Sequence, residues 1–64
     1  MNTNQLKQVA ARHLQSTMEV EVSVDRMEYD FADDMVYISA SVNGYMYIVC
    51  MYQDGTIVSC YKGE

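Results

Sequence analysis

An Asn-Gly pair at Asn43-Gly44 separates two segments rich in apolar and aromatic side chains. Asn-Gly readily adopts the positive φ angles of a type I′ turn, so it predicts a tight β-hairpin. Asp54-Gly55 repeats the signal further along the chain. We therefore predict a three-stranded antiparallel meander with strands at 35–42, 45–52 and 56–61. Two-residue loops pair Val42 with Tyr45 and Gln53 with Thr56.

Alternation along these strands divides the predicted sheet into two faces. The aliphatic face is the natural seat for a helix, and it carries Val36, Ile38, Ala40, Val42, Tyr45, Tyr47, Val49, Met51, Val58 and Cys60. The Tyr-Met face carries Tyr37, Ser39, Ser41, Met46, Ile48, Cys50, Tyr52, Ile57, Ser59 and Tyr61. The pattern favours a helix on the aliphatic face, and the reverse arrangement, with a dimer on that face, stays open.

Residues 3–16 predict one amphipathic helix, because apolar residues recur at a spacing of three and four. Asn2 or Thr3 can cap it, and Gln5 completes a capping-box pattern with Asn2. The buried stripe of this helix consists of Leu6, Val9, Ala10, His13 and Leu14.

After the helix, apolar residues from Met18 to Val24 alternate with polar ones, which predicts a half-buried strand. The apolar parity flips at Asp25-Arg26, where a bulge or a tight turn must absorb the change. Residues 32–34 then predict a loop. The expected fold is a single α+β domain over residues 1–64, with an N-terminal helix packed on an antiparallel sheet of about four strands in the order α-β-β-β-β.

The chain has 64 residues and a net charge of −5, which argues against binding DNA, RNA or an anionic membrane through its own charge. The N-terminus lacks the pattern of a signal peptide, and the longest near-apolar stretch is too short to span a bilayer. We expect a cytoplasmic protein. The predicted register points Cys50 and Cys60 to opposite faces, so we expect two reduced thiols.

Acidic residues are concentrated in one part of the chain. Seven of the nine acids fall between positions 19 and 34, opposed there only by Arg26. They are Glu19, Glu21, Asp25, Glu28, Asp30, Asp33 and Asp34. Glu19 and Glu21 are expected to share one face of the predicted strand, roughly 7 Å apart.

This cluster has three interpretations. It can be a solvated edge that maintains solubility and blocks strand pairing. It can be a row of negative charge that replaces nucleic acid in a groove built from Lys and Arg. Metal binding by Asp30, Asp33 and Asp34 is the weakest interpretation, because the segment lacks the alternating ligands and the glycine of a calcium loop.

No catalytic set is apparent in the sequence. His13 is the only histidine, and its place on the helical stripe is typical of a core-edge residue. A Ser-His-Asp grouping is not suggested, and the glycines do not form a phosphate-binding loop. We predict a protein that is not an enzyme, uses no cofactor or metal, and acts by binding another macromolecule.

The acid-rich stretch from Glu19 to Asp34, the compact helix-plus-meander pattern and the absence of a catalytic set give the chain a recognisable character. In that character it resembles the small acidic inhibitors that bacteriophages encode against host defences, notably anti-CRISPR proteins that mimic DNA. The resemblance implies that the seven acids occupy the DNA-binding surface of a CRISPR surveillance complex, with Tyr37 and Tyr52 as anchors. The alternative is an interaction or assembly module, a homodimer or an adaptor, that binds through its Tyr-Met face.

Overall fold

The computed structural model describes residues 1–19 and 21–63. Its sheet is antiparallel with strand order β1-β2-β3-β4, and this confirms the predicted α+β arrangement. The elements in chain order are α1 (Thr3–Met18), a 3-10 turn (Val24–Arg26), β1 (Glu28–Ala32), β2 (Met35–Val42), β3 (Tyr45–Met51) and β4 (Ile57–Gly63).

The helix begins with the capping box expected from the sequence. The Asn2 Oδ1 atom accepts the Gln5 backbone N–H at 2.8 Å, and the Gln5 Oε1 atom accepts the Asn2 N–H at 2.9 Å. α1 runs two residues beyond the predicted end and stops at Glu19, which is left-handed with φ 55°. The Glu19 N–H donates to the Gln15 carbonyl at 2.8 Å, so the last turn is closed without a glycine.

The predicted strand from Met18 to Val24 is wrong for the residues described there. Met18 is the last residue of α1 and Val24 begins the 3-10 turn, while Val20 lies outside the described residues. Val22 is buried, and Met18 and Val24 pack against the core. The alternating apolar residues are therefore the points at which the segment between α1 and β1 contacts the core. The turn at Val24–Arg26, and not a bulge, absorbs the flip at Asp25-Arg26.

Two tight turns connect the first three strands. Asn43 and Gly44 have φ angles of 52° and 84°, and Val42 pairs with Tyr45 as predicted. Asp33 and Asp34 also have positive φ angles, 53° and 63°, and Ala32 pairs with Met35. The predicted loop at 32–34 is therefore a two-residue turn, because short aspartate side chains tolerate the left-handed region.

The connection from β3 to β4 differs from the prediction. The Tyr52 N–H donates to the Thr56 carbonyl at 2.9 Å, so three residues and not two form the loop, and Gln53 does not pair with Thr56. A bulge then shifts the register, because Met51 pairs with Ile57 whereas Cys50 pairs with Ser59. The shift restores the predicted pairing of Cys60 with Val49.

The bulge exchanges the predicted roles of two neighbouring residues. Ile57 packs against the core, whereas Val58 is 50% exposed. The sequence placed Ile57 on the Tyr-Met face and Val58 on the aliphatic face, whereas Val58 is exposed beside the groove next to α1. The error arises because the loop adds one residue that the Asp-Gly pattern does not reveal, and a one-residue slip reverses the side-chain direction.

The helix covers the aliphatic face of the sheet, as the sequence favoured. Leu6, Ala10, Ala11 and Leu14 from α1 form one buried cluster with side chains of β2 and β3. The largest fully buried side chains are Leu14, Val36, Ile38, Val49 and Met51. His13 of the predicted stripe is half-buried, and Ala11, which the stripe omitted, is buried. Tyr45, assigned to this face, is 53% exposed.

Candidate functional site

Four of the seven predicted acids lie on one strand and its turn. Glu28 and Asp30 alternate along β1, on the side of the sheet away from the helix, and Asp33 and Asp34 form the turn that follows. All four are exposed. Since β1 is an outer strand, these carboxylates line a border of the sheet, and we call them the acidic edge.

The other three acids do not form the strand row that the sequence predicted. Glu19 ends α1, Glu21 lies in the connecting segment, and Asp25 is in the 3-10 turn. All three are exposed. The segment that carries them leads to the start of β1, so they precede the acidic edge along the chain without sharing its strand geometry.

One carboxylate of the acidic edge also accepts a hydrogen bond from an outward backbone N–H of β1. The Asp30 Oδ1 atom accepts the backbone N–H of Phe31 at 2.9 Å. This N–H points away from β2, because Asp30 and Ala32 are the residues whose backbones bond to β2 in this register. One of the few outward N–H donors of β1 is therefore already bonded, and it lies beside a row of negative charge. Both features disfavour the pairing of another strand with β1.

The two predicted tyrosines occupy different environments. Tyr37 is half-buried on β2 and lies directly opposite Asp30 of β1, so the fold does bring an aromatic side chain beside the acidic edge. Tyr52 is 51% exposed and follows β3. In an antiparallel meander the β1–β2 turn and the β3–β4 loop lie at the same end of the sheet. Tyr52 is therefore at the end that carries Asp33 and Asp34.

Asp54 is an acid at this end that the sequence interpretation did not include. Its Oδ1 atom accepts the Thr56 N–H at 2.9 Å. The hydrogen bonds from the Thr56 backbone and hydroxyl lower the pKa of Asp54, so this carboxylate stays ionised to lower pH than a free aspartate. The signal available in the sequence was the Asp-Gly-Thr spacing, which is typical of an aspartate that bonds to the backbone two residues on.

The face of the sheet opposite the helix carries a mixture of aromatic, thioether and hydroxyl side chains. Met46 and Tyr61 are 41% and 49% exposed, and Ile48 is half-buried. Across the sheet, Ile48 lies between Ser39 and Tyr61. This is the predicted Tyr-Met face without Ile57, which packs against the core.

An open groove of about 660 Å³ separates the C-terminal part of α1 from β4. His13, Thr17 and Met18 line its helix side, and Ile57 and Cys60 contribute from the sheet. Burial, with a smaller effect of Cys50, raises the pKa of Cys60, which disfavours the nucleophilic thiolate. Both cysteines are free thiols, as the predicted register requires.

Within residues 1–19 and 21–63, no three His, Cys, Asp or Glu side chains converge in a way that could hold a metal ion. No described helix has the length and apolar character needed to cross a membrane. Comparison of the chain with protein-family models, curated proteins and solved structures gave no match. The candidate site therefore depends on its own geometry: a row of exposed carboxylates on an outer strand, with Tyr37 beside it.

Proposed function

We propose that this chain is a non-enzymatic binding protein whose acidic edge occupies a basic, nucleic-acid-binding surface of another protein. The observation that carries the proposal is the placement of Glu28, Asp30, Asp33 and Asp34 along one outer strand and its turn, all exposed. A nucleic-acid-binding groove is lined by Lys and Arg that contact phosphates, and carboxylates at regular spacing satisfy the same donors.

The strand geometry supports this function through its spacing and stiffness. Glu28 and Asp30 are two residues apart on β1, which separates their Cα atoms by roughly 7 Å, close to the spacing of successive phosphates on one strand of nucleic acid. Pairing with β2 over the full length of β1 holds this spacing. A backbone fixed in this way loses little conformational freedom on binding, so more of the electrostatic attraction contributes to affinity.

The more specific form of the proposal follows from the resemblance to phage-encoded inhibitors. We propose that the target is a host defence complex, such as a CRISPR surveillance complex in the bacterial cytosol, and that binding blocks its access to DNA. The chain itself does not bind nucleic acid in this mechanism, because its net charge of −5 repels phosphates. It competes with nucleic acid for the same cations.

The test is competition between the chain and a fluorescent target duplex for purified CRISPR surveillance complexes. We expect the wild-type chain to displace the duplex. Replacing Glu28→Gln together with Asp30→Asn keeps the side-chain shapes and an acceptor for the Phe31 N–H, but removes two charges. We expect the half-inhibitory concentration to rise about tenfold or more, which corresponds to about 1.4 kcal/mol.

A charge-matched control separates the acidic edge from net charge. Gln8→Lys with Gln15→Lys changes the total charge by the same two units at exposed helix positions. We expect this variant to inhibit nearly as well as wild type. Equal loss in both double variants would show that net charge alone is responsible, and an inert wild-type chain would refute the CRISPR target.

A second candidate function is supported by the exposed Tyr-Met face. Tyr61 and Met46 are about half exposed there, and tyrosine and methionine are enriched at protein interfaces. We propose, as the alternative, an interaction module that binds a partner through this face. Binding in a pull-down from bacterial lysate would then persist at high salt and decrease in Tyr37→Ala or Tyr52→Ala, whereas Glu28→Gln with Asp30→Asn would leave it unchanged.

A further inference from the structure

The two outer strands of the sheet differ sharply in charge and length. β1 has five residues, and with its turn it carries four carboxylates and no cation. β4 has seven residues, of which Lys62 is the only charged one. Short length and inward or flanking charge are the usual protections of a sheet border against further pairing. β4 lacks both.

The register of the sheet identifies which backbone groups of β4 are free. The two-residue turn makes Val42 and Tyr45 a hydrogen-bonded pair, so alternate residues of β3 bond to β2 and the others, including Ile48 and Cys50, bond to β4. Their partners Tyr61 and Ser59 therefore direct their backbone groups inward. The N–H and C=O groups of Cys60 and Lys62 point outward from the sheet, while Val58 lies at the bulge.

The space beside β4 is open on both sides of the sheet. On the helix side, the groove between α1 and β4 leaves Ile57 and Cys60 accessible. Val58 at the bulge also lines this groove and is half exposed, and on the opposite side Tyr61 is 49% exposed. A further strand can thus reach the outward backbone groups without displacing α1, and it covers apolar side chains when it does.

We propose that β4 pairs antiparallel with β4 of a second copy of this chain, which joins the two sheets into one of eight strands. Pairing is self-complementary when the two-fold axis passes through Cys60, the middle residue of Ile57–Gly63. This alignment overlaps the whole strand and faces Cys60 with its own copy. Lys62 then faces Val58, so the only cation of each strand meets an uncharged residue.

The self-complementary alignment of β4 favours a second copy as the occupant, and the charge distribution stops further growth of the assembly. The acidic edge lies three strand spacings from β4, roughly 14 Å away, which exceeds the Debye length of about 8 Å at physiological salt. Two chains of charge −5 can therefore meet at β4 with their acidic edges remote from the contact, and the described carboxylates nearer to β4 are Asp54, three residues before it, and Glu19, next to the groove residue Met18. The borders that remain are two acidic β1 strands, which repel each other and stop growth into fibres.

Sedimentation equilibrium of the full chain tests the proposal across protein concentrations from about 10 μM to about 1 mM, a range suited to a small interface. We expect a monomer–dimer equilibrium that strengthens as salt rises, because screening reduces repulsion between like-charged copies. Cys60→Pro removes an outward N–H, a substitution that an outer strand tolerates, and we expect loss of the dimer. Tyr29→Pro makes the matched change on β1 and should leave the dimer intact. Circular dichroism verifies that both variants fold.

Cysteine oxidation gives an independent measurement of the alignment. Cys50→Ala leaves Cys60 as the single thiol, and directly paired residues have Cα atoms about 5.5 Å apart, within disulfide range. We expect a reducible covalent dimer from this variant and none from Cys60→Ala. A wild-type chain that stays monomeric throughout the concentration range overturns the proposal. It is also overturned by a dimer that folded Cys60→Pro retains or that Tyr29→Pro abolishes.

Discussion

Residues with positive φ angles determine where this chain reverses direction. They include Asp33, Asp34 and Asn43 as well as two glycines. A residue with a Cβ atom has a steric cost in the left-handed region, and this cost is smallest for Asn and Asp. The acidic turn at Asp33-Asp34 therefore combines a structural role with the display of charge, and the same residue type serves both.

Gly44 allows the effect of backbone strain on stability to be measured without steric contacts. A Cβ atom built there meets nothing within 4 Å, while φ is +84°. We expect Gly44→Ala to lower the free energy of unfolding by about 1–2 kcal/mol through backbone strain alone. Gly63→Ala is the control, since its Cβ would make ordinary contacts of 3.7 Å and its φ is not in the left-handed range. Urea denaturation of both variants measures the difference. Equal losses would refute strain as the cause.

At the scale of elements, the β4 bulge decides which of two adjacent residues supports the core. Ile57 packs against the core whereas Val58 is half exposed. We expect Ile57→Ala to cost about 1–2 kcal/mol, less than a fully buried truncation, and Val58→Ala to cost about 0.5 kcal/mol or less. Thermal denaturation of the two variants tests this order. The reverse order would mean that the loop has two residues and the strand has no bulge.

The elements with local signals were predictable from sequence. The capping box of α1 and the Asn43-Gly44 turn follow from residue chemistry within a few positions. The pairing of Cys60 with Val49 agrees with the prediction only because the bulge offsets the longer loop. The aliphatic face under the helix also followed, because strand alternation and helical spacing predicted matching apolar surfaces. These features specify the fold class and the order of the elements.

The elements that depend on three-dimensional context were not predictable. The segment after Met18 has the alternation of a strand. Because β1 already pairs with the outer side of β2, this segment instead connects α1 to β1, with Val22 buried in the core. The extra loop residue before Thr56 has no distinctive sequence pattern. The first error moved residues of the candidate site, because Glu19 and Glu21 are not in a strand, whereas Asp30 and Tyr37 lie opposite each other on β1 and β2.

At the scale of the whole molecule, the fold separates its apolar and charged parts across a single sheet. The helix covers the centre of one face, four carboxylates gather at the β1 border, and β4 stays nearly uncharged. A chain of this size has a small core, so it tolerates this asymmetry only where like charges stay in solvent. The described acids of the edge are all exposed, which keeps their charge available to a partner.

The two borders give opposite responses to salt, so the proposed binding function and the proposed dimer can fail independently. Screening weakens attraction between the acidic edge and a basic surface, and it relieves repulsion between two acidic copies. A chain that inhibits but stays monomeric refutes only the β4 pairing. A chain that dimerises without binding any basic protein refutes only the mimicry of nucleic acid.

The central claim is tested most directly by the salt dependence of binding. Calorimetry would measure the affinity of the wild-type chain for a basic protein isolated with it from bacterial lysate, at salt concentrations from about 0.05 M to about 0.5 M. The proposed mimicry predicts that the affinity falls steeply with salt, and that the slope becomes shallower in Glu28→Gln with Asp30→Asn but not in Gln8→Lys with Gln15→Lys. An affinity that stays flat across this range, or the same slope in both double variants, would contradict it.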